Sequence, residues 1–461
     1  MAGGRRPAGA GQRAGPAAGH RPGTDVTMTA GPWPLTAERD ADGGLHVGGV
    51  ALSELAREHG TPLWVVDEAD LRERCRTYRA GFPGVEVAYA SKAWCTTAVL
   101  QLVDEEGLLV DVVSGGELHT ALVAGVDPSR IVLHGNNKSL VELDRALEVG
   151  VGRIVVDSFE ELDRLERLAA ARDTIASVWL RITPGIDAHT HEYVRTGHDD
   201  SKFGFTLSLG LADRAVARAR DLEHVEVVGL HAHIGSQIFG TDPFVANAEV
   251  MLDLLARWRD ELGVTLAELN LGGGMGIRYT HEDHPVEVAR YGEAVLHAVD
   301  ERCRRRGLER PRLVVEPGRA IVGPSTLTLY EVGTIKVLPG LRTYVSVDGG
   351  MSDNIRPALY DAEHEVALAN RLGADDPIST TVVGKHCESG DLVREHASLP
   401  ADVAVGDLLA VAATGAYTES MASNYNRLPR PAAVLVRDGQ VRTIIRRETL
   451  DDLVARDVPL R

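Results

Sequence analysis

From residue 61 to about residue 323 the chain repeats one hydrophobic rhythm: a short apolar run, a loop, then an amphipathic segment of helical length. Eight such runs end near Ala90, Val113, His134, Asp157, Ile182, His233, Leu271 and Glu316. Runs that are apolar throughout suit strands covered on both faces, and their alternation with helices implies parallel pairing. Eight βα units predict an α/β fold of the (β/α)8 barrel type. Ser114 with Glu117, Ser139 with Glu142, and Ser158 with Glu161 have the capping-box spacing, in which hydroxyl and carboxylate satisfy orphan N–H groups reciprocally. Gly125 and Gly150 then stop the first two of those helices.

Outside this stretch the pattern changes. A turn at Asp42-Gly43-Gly44 precedes a short strand near 45–50 and a helix over Leu52–His59 that Gly60 ends. From 324 onward the runs are strand-like, at 326–332, 342–347 and 408–413, with a hairpin about Asp438-Gly439 whose arms are 433–436 and 441–445. The expected plan is an N-terminal extension over 1–33, a segment over 34–60, a barrel over 61–323 and a β-rich domain over 324–461. The first 27 residues, rich in Gly, Ala, Pro and Arg, cannot bury a core and are expected to be disordered.

Composition narrows the function. At 461 residues the chain exceeds what one core usually supports, and 44% hydrophobic residues suffice for two. A net charge of −18 argues against nucleic acid or an anionic membrane as partner and for small-molecule chemistry. Cys75, Cys95, Cys303 and Cys387 lack paired spacing, which fits a reducing, cytoplasmic setting. No apolar stretch approaches the roughly 20 residues of a membrane span.

Against this background the lysines stand out. They occur only at 92, 138, 202, 336 and 385, in a chain with 49 Lys plus Arg, so an amine at the end of the run Val-Glu-Val-Ala-Tyr-Ala-Ser-Lys92 invites a chemical reason. A desolvated lysine is a ready carbonyl nucleophile. Further polar groups collect at other strand ends: His233 with Ser236 after the sixth, Gly272, Gly273 and Gly274 after the seventh, Glu316, Gly318 and Arg319 after the eighth. Barrel enzymes build their sites at this face, with phosphate favoured near the seventh and eighth strands. The glycines would let backbone N–H groups approach a phosphate that Arg319 clamps. Phosphate plus lysine points to pyridoxal phosphate, with Glu316 beside the pyridine nitrogen and His233 stacked on the ring. Each residue has an ordinary alternative: a snorkelling lysine, a glycine turn, a core histidine, a Glu316–Arg319 salt bridge. Their coincidence at strand ends favours the cofactor.

The stretches Y-A-S-K-A at Lys92, D-V-V-S-G-G-E-L from Asp111, H-G-N-N-K-S from His134, H-I-G-S-Q from His233, G-G-G from Gly272 and E-P-G-R from Glu316 resemble the alanine-racemase-like, fold-type III pyridoxal-phosphate decarboxylases. So do S-D-N-I-R-P-A-L-Y-D-A from Ser352, C-E-S-G-D from Cys387, and G-A-Y with S-M-A-S-N-Y-N from Gly415, so the likeness runs from about Pro34 to the end. The resemblance implies that the second domain is a small β-barrel or sandwich joined by the segment over 34–60. It also implies a homodimer with the active site between subunits, to which the partner contributes Cys387 and Glu388. Lys92 would hold the cofactor and Cys387 would donate the proton that replaces the lost carboxylate. Lys385 and His386 favour its thiolate while Glu388 opposes it. Arg319, Arg356 and Tyr360 suit a distal carboxylate and Glu388 a distal ammonium, with Tyr417 at phosphate or substrate. Meso-2,6-diaminopimelate meets that description, and L-lysine would be its product. A decarboxylase for ornithine or arginine would leave Arg356 unpaired; a non-catalytic cofactor carrier would lack the second domain. The loop over 186–205 carries His189, His191 and His198 with Asp187, Asp199 and Asp200; a lid is expected there rather than a metal site, since the spacing lacks cysteines and a helix face.

Overall fold

The computed structural model describes residues 31–186 and 200–461. Eight parallel strands, Glu86–Ala90, Leu109–Val112, Ile131–Leu133, Arg153–Val156, Ala176–Thr183, Val225–His231, Glu268–Asn270 and Arg312–Val315, close into a barrel. Closure is made where Ala176–Thr183 pairs with Arg153–Val156 and, on its other side, with Val225–His231. Alternation along these strands divides the apolar side chains. Ala88, Val132, Val155, Trp179 and Val314 form a small inner cluster, while their neighbours face the surrounding helices. Buried Glu268, which takes the Trp179 indole N–H at 2.6 Å and pairs with Arg153 and Arg312, ties several strands at their N-terminal ends, where barrels carry stability rather than chemistry.

Of the three expected capping boxes, Ser139 with Glu142 is complete. Ser114 and Ser158 do cap, but their carboxylates go elsewhere. Glu117 accepts from Val113 N–H and the Ser91 hydroxyl, whereas Glu161 accepts from Asp157 N–H and pairs with buried Lys138. The Lys138 ammonium makes three bonds, to Gly135 O at 2.6 Å, Val155 O at 2.7 Å and Glu161 at 2.6 Å. Lys138→Met should therefore destabilise the protein by about 3–5 kcal/mol, because it strands a buried carboxylate. Urea unfolding checks this, and an unchanged midpoint would refute it.

The second sheet runs in the order Leu392–Pro400, Pro377–Val383, Arg342–Val347, Thr326–Leu338, Leu63–Asp67, Ala432–Arg437, Gln440–Ile445. Its member Leu63–Asp67 corrects the boundary drawn at residue 61. This strand pairs with Thr326–Leu338 and Ala432–Arg437, and the barrel begins only after it. An apolar run buried on both faces looks alike in either sheet, so the pattern alone could not assign it. The short strands Glu38–Arg39, Leu45–Val47 and Val50–Ala51 lie against this unit, with Leu45 N–H bonded to Ala369 O. Trp33, placed in the extension by composition, is buried in the same cluster as Leu45 and Leu327. Helix Leu52–His59 ends at Gly60 as expected. Residues 1–30 of the extension, and His189, His191, His198, Asp187 and Asp199 of the 186–205 loop, lie outside the described residues. Among the described residues no helix is long and apolar enough to cross a membrane.

Candidate active site

At the C-terminal face of the barrel a cavity of about 490 Å³ is lined by Lys92, His233, Ser236, Gly272, Gly273, Gly274, Glu316, Gly318, Arg319, Arg356, Tyr360 and Tyr417. These are all the site residues anticipated from sequence except Cys387 and Glu388, which the chain places elsewhere. Lys92 sits on the one-turn helix Ser91–Ala93 just past the first barrel strand, exposed rather than buried. The backbone there is fixed: Ala93 O accepts the Tyr417 N–H at 2.9 Å and the Ser420 hydroxyl at 3.2 Å.

Glu316 forms no salt bridge with Arg319. Its carboxylate lies 2.8 Å from His134 Nε2 and 3.1 Å from His231 Nε2, and accepts the Asn270 amide at 2.6 Å. Burial pushes its pKa up, but the two rings outweigh that and hold Glu316 well below the usual carboxylate range. His231 is driven down to about 4, chiefly by burial, and His233 falls well below its ordinary value through burial and the charges of Lys92 and Arg181. The donors of His134, His231 and Glu316 lie within 4.8 Å of one another, near enough to chelate an ion, yet two of the contacts among them are already made. Burial raises Asp111 to about 7, helped by Glu316 and opposed by His134 and Lys92.

The glycine triplet differs from a free phosphate cradle. Gly272 N–H donates to Asn270 Oδ1 at 2.8 Å and Gly273 N–H to His233 Nδ1 at 3.2 Å, so two of its three donors are spent inside the protein. The residues are glycine for another reason: a Cβ on Gly273 would stand 1.9 Å from Glu316 O, and Gly272 and Gly274 have φ of +70° and +121°. The anion-seeking groups are instead two buried guanidiniums. Arg319 donates to the Ser236 hydroxyl at 2.9 Å and the Tyr279 hydroxyl at 2.5 Å. Arg356 lies over the rings of Tyr279 and Tyr360, at 5.2 and 5.7 Å, and its Nε has no partner. Among the described residues neither forms an ion pair with a carboxylate. Tyr279, which sequence reasoning missed, is pulled below its ordinary pKa by these two arginines despite burial. No sequence pattern marks it. Asp111, by contrast, was visible as the one acid in the run Leu-Val-Asp-Val.

These residues fit pyridoxal phosphate: an unpaired guanidinium and hydroxyl for the phosphate, an ionised buried carboxylate for a protonated ring nitrogen, and a lysine at the rim. Comparison with known proteins agrees. Residues 68–323 match the family described as pyridoxal-dependent decarboxylase, pyridoxal binding domain. The diaminopimelate decarboxylase of Bacillus subtilis (strain 168) is 49% identical over 430 residues, 92% of this chain and 98% of the relative. The chain belongs to the diaminopimelate decarboxylases. The enzyme of that name from Mycobacterium bovis is 47% identical over 435 residues, covering 92% of this chain and 97% of its own. Among solved structures, diaminopimelate decarboxylase from M. jannaschii in complex with L-lysine matches with a TM-score of 0.87 and 34% identity, over 92% of this chain and 98% of that one. As in that family, the cofactor here is pyridoxal phosphate and the fold a barrel with a β domain.

Cys387 and Glu388 are exposed on the turn between Pro377–Val383 and Leu392–Pro400, outside the cavity of their own chain. Cys387 N–H donates to Asn426 Oδ1 at 2.8 Å.

Proposed function

We propose that this diaminopimelate decarboxylase converts meso-2,6-diaminopimelate to L-lysine and carbon dioxide, the closing step of lysine biosynthesis, in the cytoplasm. The observation that carries the substrate choice is the second cation. A cofactor phosphate would engage Arg319 with Ser236, and buried Arg356 would still lack an anion. A substrate with a distal carboxylate supplies it, with Tyr360 and Tyr417 beside it and Arg319 shared between phosphate and substrate. When bound, the cofactor serves as the sink for the electron pair that the departing carboxyl group leaves behind. Lys92 would hold it through its amine, Glu316 would favour the protonated ring nitrogen, and His233, neutral through burial, would line the ring.

The reaction needs two further groups: a donor for the proton that replaces carbon dioxide, and an anion for the distal ammonium. Cys387 and Glu388 have the required chemistry and stand exposed on a well-braced turn, which supports a homodimer in which each subunit completes its neighbour's site. The test is a substrate panel. Purified protein should release carbon dioxide and lysine from meso-diaminopimelate, with L-ornithine and L-arginine turned over at least ~10³-fold less efficiently. Comparable efficiency on ornithine would overturn the assignment.

A further inference from the structure

Two residues outside the cavity, Tyr425 and Asn426, bind the Cys387–Glu388 turn from the side. Asn426 Oδ1 accepts the Cys387 N–H at 2.8 Å. The Tyr425 ring stacks on His386, with centroids 5.6 Å apart and planes inclined by 6°, and its hydroxyl donates to Glu388 Oε2 at 3.4 Å. To make these contacts the chain adopts left-handed backbone at two successive non-glycine residues, Asn426 with φ of 52° and Arg427 with φ of 57°. Asparagine enters that region more readily than most residues, but an arginine avoids it unless the surroundings impose it. Here the Arg427 guanidinium is held by the Asp457 carboxylate at 2.9 Å and by Leu453 O. Buried Asp391 in turn fixes His386 through its ring Nδ1 and its backbone N–H, each at 2.8 Å, and takes the Met351 N–H at 2.7 Å. The turn is thus held by Asp391 as well as by Tyr425 and Asn426, and left-handed backbone is spent on the latter pair.

We propose that Asn426 and Tyr425 are positioning residues for the reaction: Asn426 sets where the Cys387 thiol stands, and Tyr425 orients the Glu388 carboxylate that receives the distal ammonium. This rests on Cys387 and Glu388 serving the neighbouring subunit's site. The same frame reaches the chain's own cavity, since Ser423 N–H donates to Ser352 O at 2.8 Å and Met351 N–H to Asp391, at the start of the segment that ends in Arg356. One rigid unit therefore places a substrate-binding arginine in one site and a proton donor in the other.

Asn426→Gly tests it, because glycine keeps the left-handed backbone and removes only the acceptor. In the cofactor-loaded enzyme, kcat should fall about 10–100-fold with KM little changed, as a displacement near 1 Å at a reacting group costs on that order. The solvent deuterium isotope effect on kcat should rise as proton delivery becomes limiting, which a mere loss of folded enzyme would not produce. Tyr425→Phe keeps the stack and loses the hydroxyl, so KM should rise about 2–10-fold at constant kcat. Wild-type kcat and isotope effect in Asn426→Gly, alongside an impaired Cys387→Ala, would overturn the positioning role alone. Wild-type turnover by Cys387→Ala would overturn the assignment beneath it as well.

Discussion

Lys92→Ala is expected to lower kcat/KM for meso-diaminopimelate by about 10³-fold or more without unfolding the protein. The fold should survive because the backbone at 91–93 is held by its neighbours and not by the amine. Ser91 is buried with its hydroxyl on Glu117, Ala93 O is capped by Tyr417 and Ser420, and Tyr89 OH bonds Trp94 O at 2.9 Å. What would disappear is the covalent anchor for the cofactor and an amine able to exchange protons with the substrate's own amino group, and acid–base groups of this kind contribute roughly 10²–10⁴-fold. Lys92→Arg should be as inactive, since a guanidinium preserves charge but not nucleophilicity. An active Lys92→Arg variant would reduce the residue to a counter-charge.

Arg356→Met should have the next largest effect, a drop of about 10²–10³-fold in kcat/KM with full cofactor occupancy. Arg356 is 6% exposed, stacked among tyrosines and unpaired. Burial pulls its pKa below the usual arginine value, with Arg319 adding repulsion, so an anionic substrate relieves a cost already present in the free protein. Truncating one partner of a buried charge pair typically costs about 2–5 kcal/mol. Methionine preserves the packed volume, so the loss should appear with the dicarboxylate and be absent with L-ornithine. Unchanged kcat/KM for meso-diaminopimelate would remove Arg356 from the substrate site.

The parts of this account that were legible in the sequence are those set by periodicity. Eight apolar runs became eight barrel strands, and polar residues just past their ends, Lys92, His233, Gly272 and Glu316, converged because a closed parallel barrel gathers its strand ends at one face. Contacts between elements distant in sequence were not legible. Leu63–Asp67 joined the other sheet because pairing partners at 326–329 and 432–436 outbid its neighbours in sequence. Glu316 found His134, His231 and Asn270 rather than Arg319, three residues on, because the strand that ends at Val315 turns its carboxylate toward the barrel axis while Arg319 begins a new helix. Capping spacing located helix starts correctly but left open where the Glu117 and Glu161 carboxylates would go, which is to backbone N–H groups of the preceding strand ends and to Ser91 and Lys138.

The most direct measurement is borohydride reduction of freshly isolated, vitamin B6-replete protein followed by peptide mass mapping. A phosphopyridoxyl group on Lys92 is predicted, with Lys138, Lys202, Lys336 and Lys385 unmodified. An unlabelled Lys92, or label fixed on one of the other four lysines, would contradict the assignment of this cavity as the cofactor site.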